Sequence, residues 1–362
     1  MARPPVRAAT FDAAPNIALV KYWGMRDPAL GLPYNSSLSV TLDRLRSRTT
    51  VRFDPTLDAD TVELNGAAAA DEQRRPVVEL LDRIRSAAGR SEAASVVSDN
   101  NFPTASGLAS SASGFAALAA AATAAAGLRL SGRALSQLAR FGSGSASRSI
   151  FGGFVEWRAG RRADGADCYA RPLLPPDHWP ELVDLVVLVE DAPVKAVRSA
   201  DAMQATVRTS PDFARRVAEV PRHLAGIRRA LTDRDPARLF PLVMEECDSF
   251  RRVCETTVPP LDYLTSGTRA LLATVREINR TAGRPIAGYT HDAGAHLHIF
   301  TLRRHAAAIR RRVASVPGVR ATLLVGPGPG VRPVVARGPR VTRPGGRSAR
   351  GGSRSRADPR AR

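Results

Sequence analysis

The most constraining feature of this sequence is the segment NNFPTASGLASSASG at residues 100 to 114, which runs directly into an alanine-rich stretch ending at Gly127. Alanine is the strongest helix former, so the Gly- and Ser-rich segment is expected at a helix N-terminus, where N–H groups lack intrahelical partners and the helix dipole is positive. Gly107 would let the backbone approach an anion, and hydroxyl donors come from Ser106, Ser110 and Ser111. The segment therefore predicts a loop that binds nucleotide phosphate.

This loop has a plain structural alternative. It is not a Walker A loop, because that motif requires a lysine and none is present here. A Ser-capped, Ala-rich helix that only packs in the core would show the same pattern. Features elsewhere in the chain are needed to choose between the two.

Length and composition indicate a globular protein. The 362 residues, 44% of them hydrophobic, can bury one large or two medium domains. No run of 18 or more apolar residues occurs, and the N-terminus has no apolar h-region, so we expect neither a membrane span nor a secretory signal, and a cytoplasmic location. The cysteines lack metal-ligand spacing and are expected to behave as small apolar residues: Cys168, Cys247 and Cys254.

The net charge of +19 is concentrated at the C-terminus. Residues 337 to 362 carry nine Arg and one Asp, so they supply +8 and leave +11 for the rest of the chain. This tail has almost no apolar residues and is expected to be disordered. It would bind nucleic acid only weakly, by counterion release, since it has no aromatic residue to stack on a base. A solvated tail without a specific partner is the simpler interpretation.

Hydrophobic periodicity predicts an α+β fold. Strands are expected as two within 36–53 and at 61–64, 94–99, 152–158, 183–190, 286–291, 296–302 and 319–325. Helices are expected at 74–88, 110–126, 133–141, 198–208, 211–231, 235–255, 266–281 and 303–314. Strands that cluster apart from helices favour two-layer α+β domains over a doubly wound sheet. The acidic strand end at Glu190 and Asp191 predicts a boundary between domains 1–190 and 191–336, with the tail at 337–362.

Four other segments have the composition of functional sites. The segment 14–27 breaks an apolar run with Lys21, Tyr22 and Trp23, which suits the mouth of a site. Lys21 is also one of only two lysines, the other being Lys195, in a chain that otherwise uses arginine. A second anion-binding loop is predicted at 142–157, with Ser143, Ser145, Ser147 and Arg148.

The remaining two segments lie near the C-terminus. Asp292 lies in an Asp-Ala-Gly turn between two strands, where it is either a turn-forming residue or a base. The VGPGPG turn at 325–330 is compatible with a purely structural role. His296 and His298 share a strand face near His291, which is also compatible with a metal site, but neutral histidine within a sheet is the commoner case, and no metal site is predicted.

Five ordered motifs make the chain resemble a known family. They are APNIALVKYWG, LPYNSSLSVTL, NNFPTASGLASSASG, GSGSASRSIFGGFVEW and HDAGA. Together they resemble the mevalonate diphosphate decarboxylases of the GHMP kinase superfamily over roughly residues 9 to 330. The resemblance implies a ribosomal-protein-like N-terminal domain, a ferredoxin-like C-terminal domain and a cleft between them. It implies conversion of mevalonate 5-diphosphate and ATP into isopentenyl diphosphate, ADP, phosphate and carbon dioxide, a step of isoprenoid synthesis.

The resemblance also implies the roles of individual residues. Asp292 would be the base or orienting carboxylate for the 3-hydroxyl, Arg148 would bind the substrate carboxylate, and Lys21 would complete the catalytic set. The substrate pocket would be lined by Tyr22, Trp23, Ser143, Ser145, Arg148 and Ser199. ATP, with Mg²⁺ held through its phosphates, would be bound by Pro103, Ser106, Gly107, Leu108, Ala109, Ser110 and Ser111. A homodimer is expected.

The chain departs from the family pattern at three places. Met25 stands where the family has a lysine that helps bind the diphosphate, and Ala200 where it has an arginine. Each lost charge-assisted hydrogen bond is worth on the order of 1.5–3 kcal/mol, so a phosphomevalonate decarboxylase is the nearest alternative unless Arg198 compensates. A kinase that stops at 3-phosphorylation is the next alternative, and a nucleic-acid-binding protein is a distant one. The third departure is Ala295-His296 in place of Pro-Asn after the Asp-Ala-Gly turn.

Overall fold

The computed structural model describes residues 7–102, 110–190 and 197–334, which form strands and helices in an α+β arrangement. The strands are β1 Arg7–Ala13, β2 Asn16–Val20, β3 Met25–Asp27, β4 Leu32–Pro33, β5 Ser37–Thr41, β6 Ser47–Phe53, β7 Thr61–Leu64, β8 Ala67–Ala68, β9 Ala94–Asn100, β10 Phe154–Trp157, β11 Ala170–Leu174, β12 Leu182–Val189, β13 Ala287–Thr290, β14 Leu297–Leu302, β15 Val319–Val325 and β16 Arg332–Pro333. The helices are α1 Asp71–Ala88, α2 Ser110–Ala125, α3 Gly132–Gly142, α4 Ala146–Ser149, α5 Ser199–Thr209, α6 Phe213–Thr232, α7 Pro236–Glu255, α8 Ser266–Thr281 and α9 Arg303–Ala314.

The N-terminal half contains two sheets. The first has the order β16-β1-β6-β9-β7-β8 and is antiparallel except for the β7–β9 pair. Helix α2 packs on β1 and β6 and is buried over most of its length. Alanine suits this position, because it loses no side-chain entropy and lets the strands approach closely. The second sheet has the order β11-β10-β5-β2, which leaves β2 at its edge.

The C-terminal half is built on a third sheet with the antiparallel order β13-β14-β12-β15. Helices α8 and α9 pack on it through Leu271, Val275 and Ile309, which share a core with Leu185 and Ile299. A different apolar cluster joins the third sheet, helices α6 and α7, and the second sheet. Helices α6 and α7 therefore connect the two halves, and both contact the edge strand β2.

The segment after β15 returns to the N-terminal half. Strand β16 pairs with β1, and Gly328 N–H donates to the carbonyl of Thr41 at 2.7 Å. A Cβ atom at Gly330 would lie 2.5 Å from the carbonyl oxygen of Ile150, so only glycine allows this approach. The contacts of the VGPGPG turn are those of a structural element.

Most predicted elements are confirmed to within a few residues, including α2, α8 and α9. The sequence interpretation treated 14–27 as an interrupted apolar run when it contains an edge strand. It missed these elements: β1, β2, β3, β4, β8, β11, β16 and the short helix α4. The three cysteines are buried and form no disulfide, as expected. None of the helices in the described part of the chain is both long and apolar enough to cross a membrane.

Candidate active site

A buried ion pair lies between the two halves of the molecule. Lys21 directly follows β2, and Asp292 lies in the turn between β13 and β14. Lys21 Nζ is 2.7 Å from Asp292 Oδ1. The Lys21 side chain is 4% exposed and that of Asp292 is 28% exposed, so of the two residues Asp292 is the one that reaches solvent. Burial alone would raise the pKa of Asp292, but the charge and hydrogen bond of Lys21 outweigh it and hold the pKa below its ordinary value. Asp292 is therefore ionised at neutral pH.

A second buried cation, Arg148, lies on the short helix α4. Its Nε donates to Asn16 Oδ1 at 3.0 Å, and its Nη1 donates to Ser37 Oγ at 2.7 Å. Burial lowers the pKa of Arg148 to about 10, so the guanidinium stays charged at neutral pH. Among the described residues no carboxylate forms an ion pair with it. A buried charge without a counter-ion is costly, so Arg148 is suited to bind an anionic ligand.

Tyr22 lies between these two cations and the small-residue loop. Its ring is 5.9 Å from Arg148 Cζ and packs edge-on against Trp157 with centroids 4.9 Å apart. Burial raises the pKa of Tyr22 to about 12, so the phenol is a neutral hydrogen-bond donor. A Cβ atom at Gly144 would lie 2.7 Å from the Tyr22 hydroxyl, which explains the glycine between the two serines of this loop.

The two serines predicted to line the pocket flank Gly144. Ser143 Oγ and Ser145 Oγ are 3.0 Å apart. The carbonyl of Ser145 accepts from Asn16 Nδ2 at 3.1 Å, and Asn16 is the residue that also holds Arg148. The structure thus brings Lys21, Tyr22, Arg148, Asp292 and this serine loop into one region.

Two predicted substrate-binding residues have different surroundings. Trp23 is 5% exposed, packs edge-on against Phe250, and donates from Nε1 to Thr206 Oγ1 at 2.9 Å. These contacts favour a packing role for Trp23 over the predicted substrate contact. Ser199 is the first residue of α5, which packs on β3 and contributes Ala202 and Met203 to an apolar cluster with Trp23.

The predicted ATP-binding segment is only partly within the described residues. Pro103, Ser106, Gly107, Leu108 and Ala109 lie outside them, as does Lys195. Ser110 and Ser111 form the first turn of α2, as predicted, and Ser111 is exposed there.

The histidines near Asp292 have structural partners. His298 Nδ1 is 2.6 Å from Asp184 Oδ2, and His296 Nδ1 accepts from the Val189 N–H at 3.2 Å. His291 Nδ1 donates to the carbonyl of Asp292 at 2.7 Å. Within the described ranges, no group of three or more His, Cys, Asp or Glu side chains is arranged to hold a metal ion. The arrangement gives no support to the metal-site alternative.

Sequence reasoning missed the residues that support Lys21. Glu246 is buried on α7 in a stripe with Leu239, Val243 and Phe250, and Arg216 and His223 are buried on α6. A charged residue at a core position of an amphipathic helix is the signal that could have identified them. Because that signal depends on the helix partner, the sequence alone does not connect them to Lys21.

Met25 and Ala200, two of the three departures from the family pattern, both lie within the described residues. Met25 is half-buried and packs against the apolar cluster that contains Trp23 and Met203. Ala200 is exposed in the first turn of α5. Arg198 is half-exposed and pairs with Asp201 at 3.0 Å. Met25 therefore contributes an apolar contact to this cluster, whereas the Ala200 position faces solvent.

Known proteins resemble the chain over both halves. A family model described as the diphosphomevalonate decarboxylase-like N-terminal domain matches residues 13–170, and one described as the mevalonate 5-diphosphate decarboxylase C-terminal domain matches residues 185–322. The diphosphomevalonate decarboxylase of Aspergillus fumigatus is 41% identical over 329 residues, covering 86% of this chain and 81% of that protein. The human diphosphomevalonate decarboxylase is 40% identical over 315 residues, covering 82% and 78%.

Solved structures agree with these sequence matches. The mevalonate diphosphate decarboxylase of Staphylococcus aureus has a TM-score of 0.85 and 34% identity, covering 91% of this chain and 99% of its own. A structure described as MDDEF in complex with MVAPP, AMPPCP and magnesium has a TM-score of 0.85 and 36% identity, covering 92% and 100%. The two-domain GHMP-kinase-like α+β fold expected from the sequence is confirmed. Because both family models and full-length relatives match in one order along one chain, the chain belongs to the diphosphomevalonate decarboxylase family.

Proposed function

We propose that this chain is an ATP-dependent decarboxylase that converts mevalonate 5-diphosphate into isopentenyl diphosphate. The observation that carries the proposal is the Lys21–Asp292 ion pair, which lies beside the buried Arg148 in a chain of the diphosphomevalonate decarboxylase family. A partly exposed carboxylate next to a cation that has no carboxylate partner in the described part of the chain suits a substrate that carries both a hydroxyl and a carboxylate.

The first chemical step is phosphorylation of the tertiary 3-hydroxyl. The carboxylate of Asp292 accepts the hydroxyl proton as the oxygen attacks the γ-phosphorus of ATP, and ADP leaves. Because the pKa of Asp292 is lowered, it is a weak base, and it acts both by orienting the hydroxyl and by taking its proton as the new bond to phosphorus forms. A weak base is sufficient here, since phosphoryl transfer passes through a loose transition state in which little proton removal is required.

The second step is loss of phosphate and carbon dioxide. A 3-hydroxy acid has no electron sink for a carbanion, so the C–O bond to the new phosphate breaks first and leaves a developing cation at carbon 3. The electron pair of the breaking C–C bond to the carboxylate then forms the new double bond, and carbon dioxide leaves. Arg148 holds that carboxylate, and its two hydrogen bonds to Asn16 and Ser37 fix the direction of the guanidinium.

The nucleotide-binding residues are proposed from the N-terminus of α2. Ser110 and Ser111 begin a 16-residue helix, and the positive end of its dipole suits the phosphates of ATP. No described group of acidic or histidine side chains forms a metal cage, which fits a Mg²⁺ ion bound through phosphates and water. When bound, that ion would neutralise phosphate charge.

A coupled assay tests the proposal. Mevalonate, its 5-phosphate and its 5-diphosphate are each supplied with ATP, and ADP and carbon dioxide are both quantified. We expect one carbon dioxide per ADP, with the 5-diphosphate preferred. ADP without carbon dioxide would show a kinase, and a preference for the 5-phosphate would show a phosphomevalonate decarboxylase.

Other assignments are part of the same proposal. We expect a homodimer, which sedimentation would test, and a cytoplasmic location, which cell fractionation would test. The division into domains 1–190 and 191–336 and the solvated tail at 337–362 stay predictions. If binding of RNA or DNA survives deletion of the tail, the weak electrostatic role given to it is wrong.

A further inference from the structure

The peptide groups of Lys21 are held by side chains rather than by a sheet. Strand β2 is an edge strand, and its pairing with β5 is interrupted between Ala18 and Val20 and ends at Val20. The next residue, Lys21, donates its N–H to Glu246 Oε1 at 2.9 Å. Its carbonyl accepts from Arg216 Nη2 at 3.1 Å and from Asn35 Nδ2 at 3.0 Å. Both peptide groups are satisfied, and most of their partners come from α6 and α7.

These partners form a buried cluster of Glu246, Arg216 and His223, here called the Glu246 cluster. Their exposures are 0%, 2% and 1%. The Glu246 carboxylate accepts hydrogen bonds from both terminal nitrogens of Arg216, from His223 Nδ1 at 2.7 Å and from the Lys21 N–H. Burial would raise the pKa of Glu246, but the Arg216 charge and the His223 hydrogen bond outweigh it and lower the pKa. The carboxylate is therefore ionised inside the core.

Burying three ionisable groups is expensive, and apolar residues of similar size would stabilise a core at least as well. Stability alone therefore does not account for this cluster. Among the described residues, the hydrogen bonds that Glu246 and Arg216 make outside α6 and α7 all go to the main chain of Lys21. We infer that Glu246, Arg216 and His223 are positioning residues that clamp the Lys21 peptide groups and so keep Lys21 Nζ within hydrogen-bond distance of Asp292. This inference rests on the function proposed for the Lys21–Asp292 pair.

Two consequences follow for Asp292. A displaced Lys21 backbone would move Nζ away from Oδ1, and the pKa of Asp292 would rise, because burial raises it and Lys21 is the main cause of its lowering. Turnover would fall, because displacement of a catalytic group by about 1 Å costs up to about a hundredfold. A cluster that only stabilised the core would change the folded fraction and leave the pKa of Asp292 in the folded protein unaltered.

The chain offers a direct probe, because it contains only two lysines, Lys21 and Lys195. Lysine labelled with ¹³C at Cε gives two NMR signals, and Lys195→Arg assigns them. Following the Lys21 signal from neutral to acid pH reports the protonation of Asp292. In Glu246→Asp, which keeps the charge but shortens the side chain, we expect this transition to move to higher pH by about one unit or more. We also expect kcat to fall roughly tenfold or more with little change in KM.

Matched variants separate positioning from stability. Asp60→Asn breaks the buried Asp60–Arg85 pair, 2.8 Å apart in the N-terminal half, and should lower stability without moving the Lys21 transition. His223→Ala removes one donor to Glu246 and should move the transition in the same direction as Glu246→Asp. His223→Asn places an amide donor near the Nδ1 position and should restore the wild-type transition.

An unchanged Lys21 transition in folded Glu246→Asp and His223→Ala would overturn the inference. If Glu246→Asp does not fold, the His223 variants decide the question in the same way. The NMR transition does not depend on turnover. An inactive wild-type protein would therefore contradict the proposed function, whereas an unmoved transition in an active protein would contradict only the clamp.

Discussion

Asp292→Asn is the substitution that tests the proposed chemistry most directly. The amide has the same shape as the carboxylate but does not take up the hydroxyl proton, and it removes the negative charge 2.7 Å from Lys21 Nζ. Positioned general bases contribute about 10²–10⁴ in rate. The lost charge also leaves Lys21 without its counter-ion. We therefore expect kcat to fall by about three orders of magnitude.

The same substitution should leave the fold nearly intact. The amide oxygen still accepts from Nζ, but the buried Lys21 charge loses its counter-ion, so the expected loss in the free energy of unfolding is about 1–3 kcal/mol. Turnover is measured by coupled release of ADP and carbon dioxide, ATP binding by calorimetry, and stability by denaturant unfolding. ATP affinity should be near normal. A mutant that keeps more than about a tenth of wild-type turnover would refute the role given to Asp292.

Three further substitutions have defined outcomes. Arg148→Lys keeps the charge but loses the guanidinium donors that bond to Asn16 and Ser37, so kcat/KM should fall by roughly a hundredfold in steady-state assays. Near-normal kinetics would instead give Arg148 a structural role. Gly144→Ala collides with Tyr22 and should cost about 1–3 kcal/mol of unfolding free energy, whereas the control Gly114→Ala, whose added Cβ meets no described atom within 4 Å, should be neutral or stabilising. Met25→Lys with Ala200→Arg should raise the kcat/KM preference for the 5-diphosphate over the 5-monophosphate by about one to two powers of ten per contact, and an unchanged ratio would mean that Arg198 and other arginines already bind the distal phosphate.

The sequence was sufficient to predict helices and strands whose pattern is set by residues close together in the chain. Helix α8 was predicted at its observed bounds, because its apolar stripe and the Thr265 cap are both local features. Strand β2 was missed, because all five of its residues are buried and so show no alternation of apolar and polar side chains. The short strands β3 and β4 depend on their pairing with each other, which no local pattern specifies.

The site shows the same division between local and tertiary information. Asp292 and Arg148 could be identified because each lies in a motif whose residue types suit its chemistry. Trp23 lies in such a motif too, yet its surroundings in the fold are those of a core residue, because its side chain extends to Phe250 while that of its neighbour Tyr22 approaches Arg148. A motif therefore indicates which segment enters a site but not which of its side chains face it.

Glu246 and Arg216 illustrate what motifs leave out. They lie more than 190 residues from Lys21 along the chain, and they meet it only because α6 and α7 pack against an edge strand of the other half. The cost of burying their charges is a tertiary quantity, since it depends on whether partners are present when the helices pack. A charged residue in the apolar stripe of a helix is thus a prediction that some buried partner exists. Here the partner is the backbone of the lysine that holds the base, so the helices that connect the two halves also fix the geometry of the site between them.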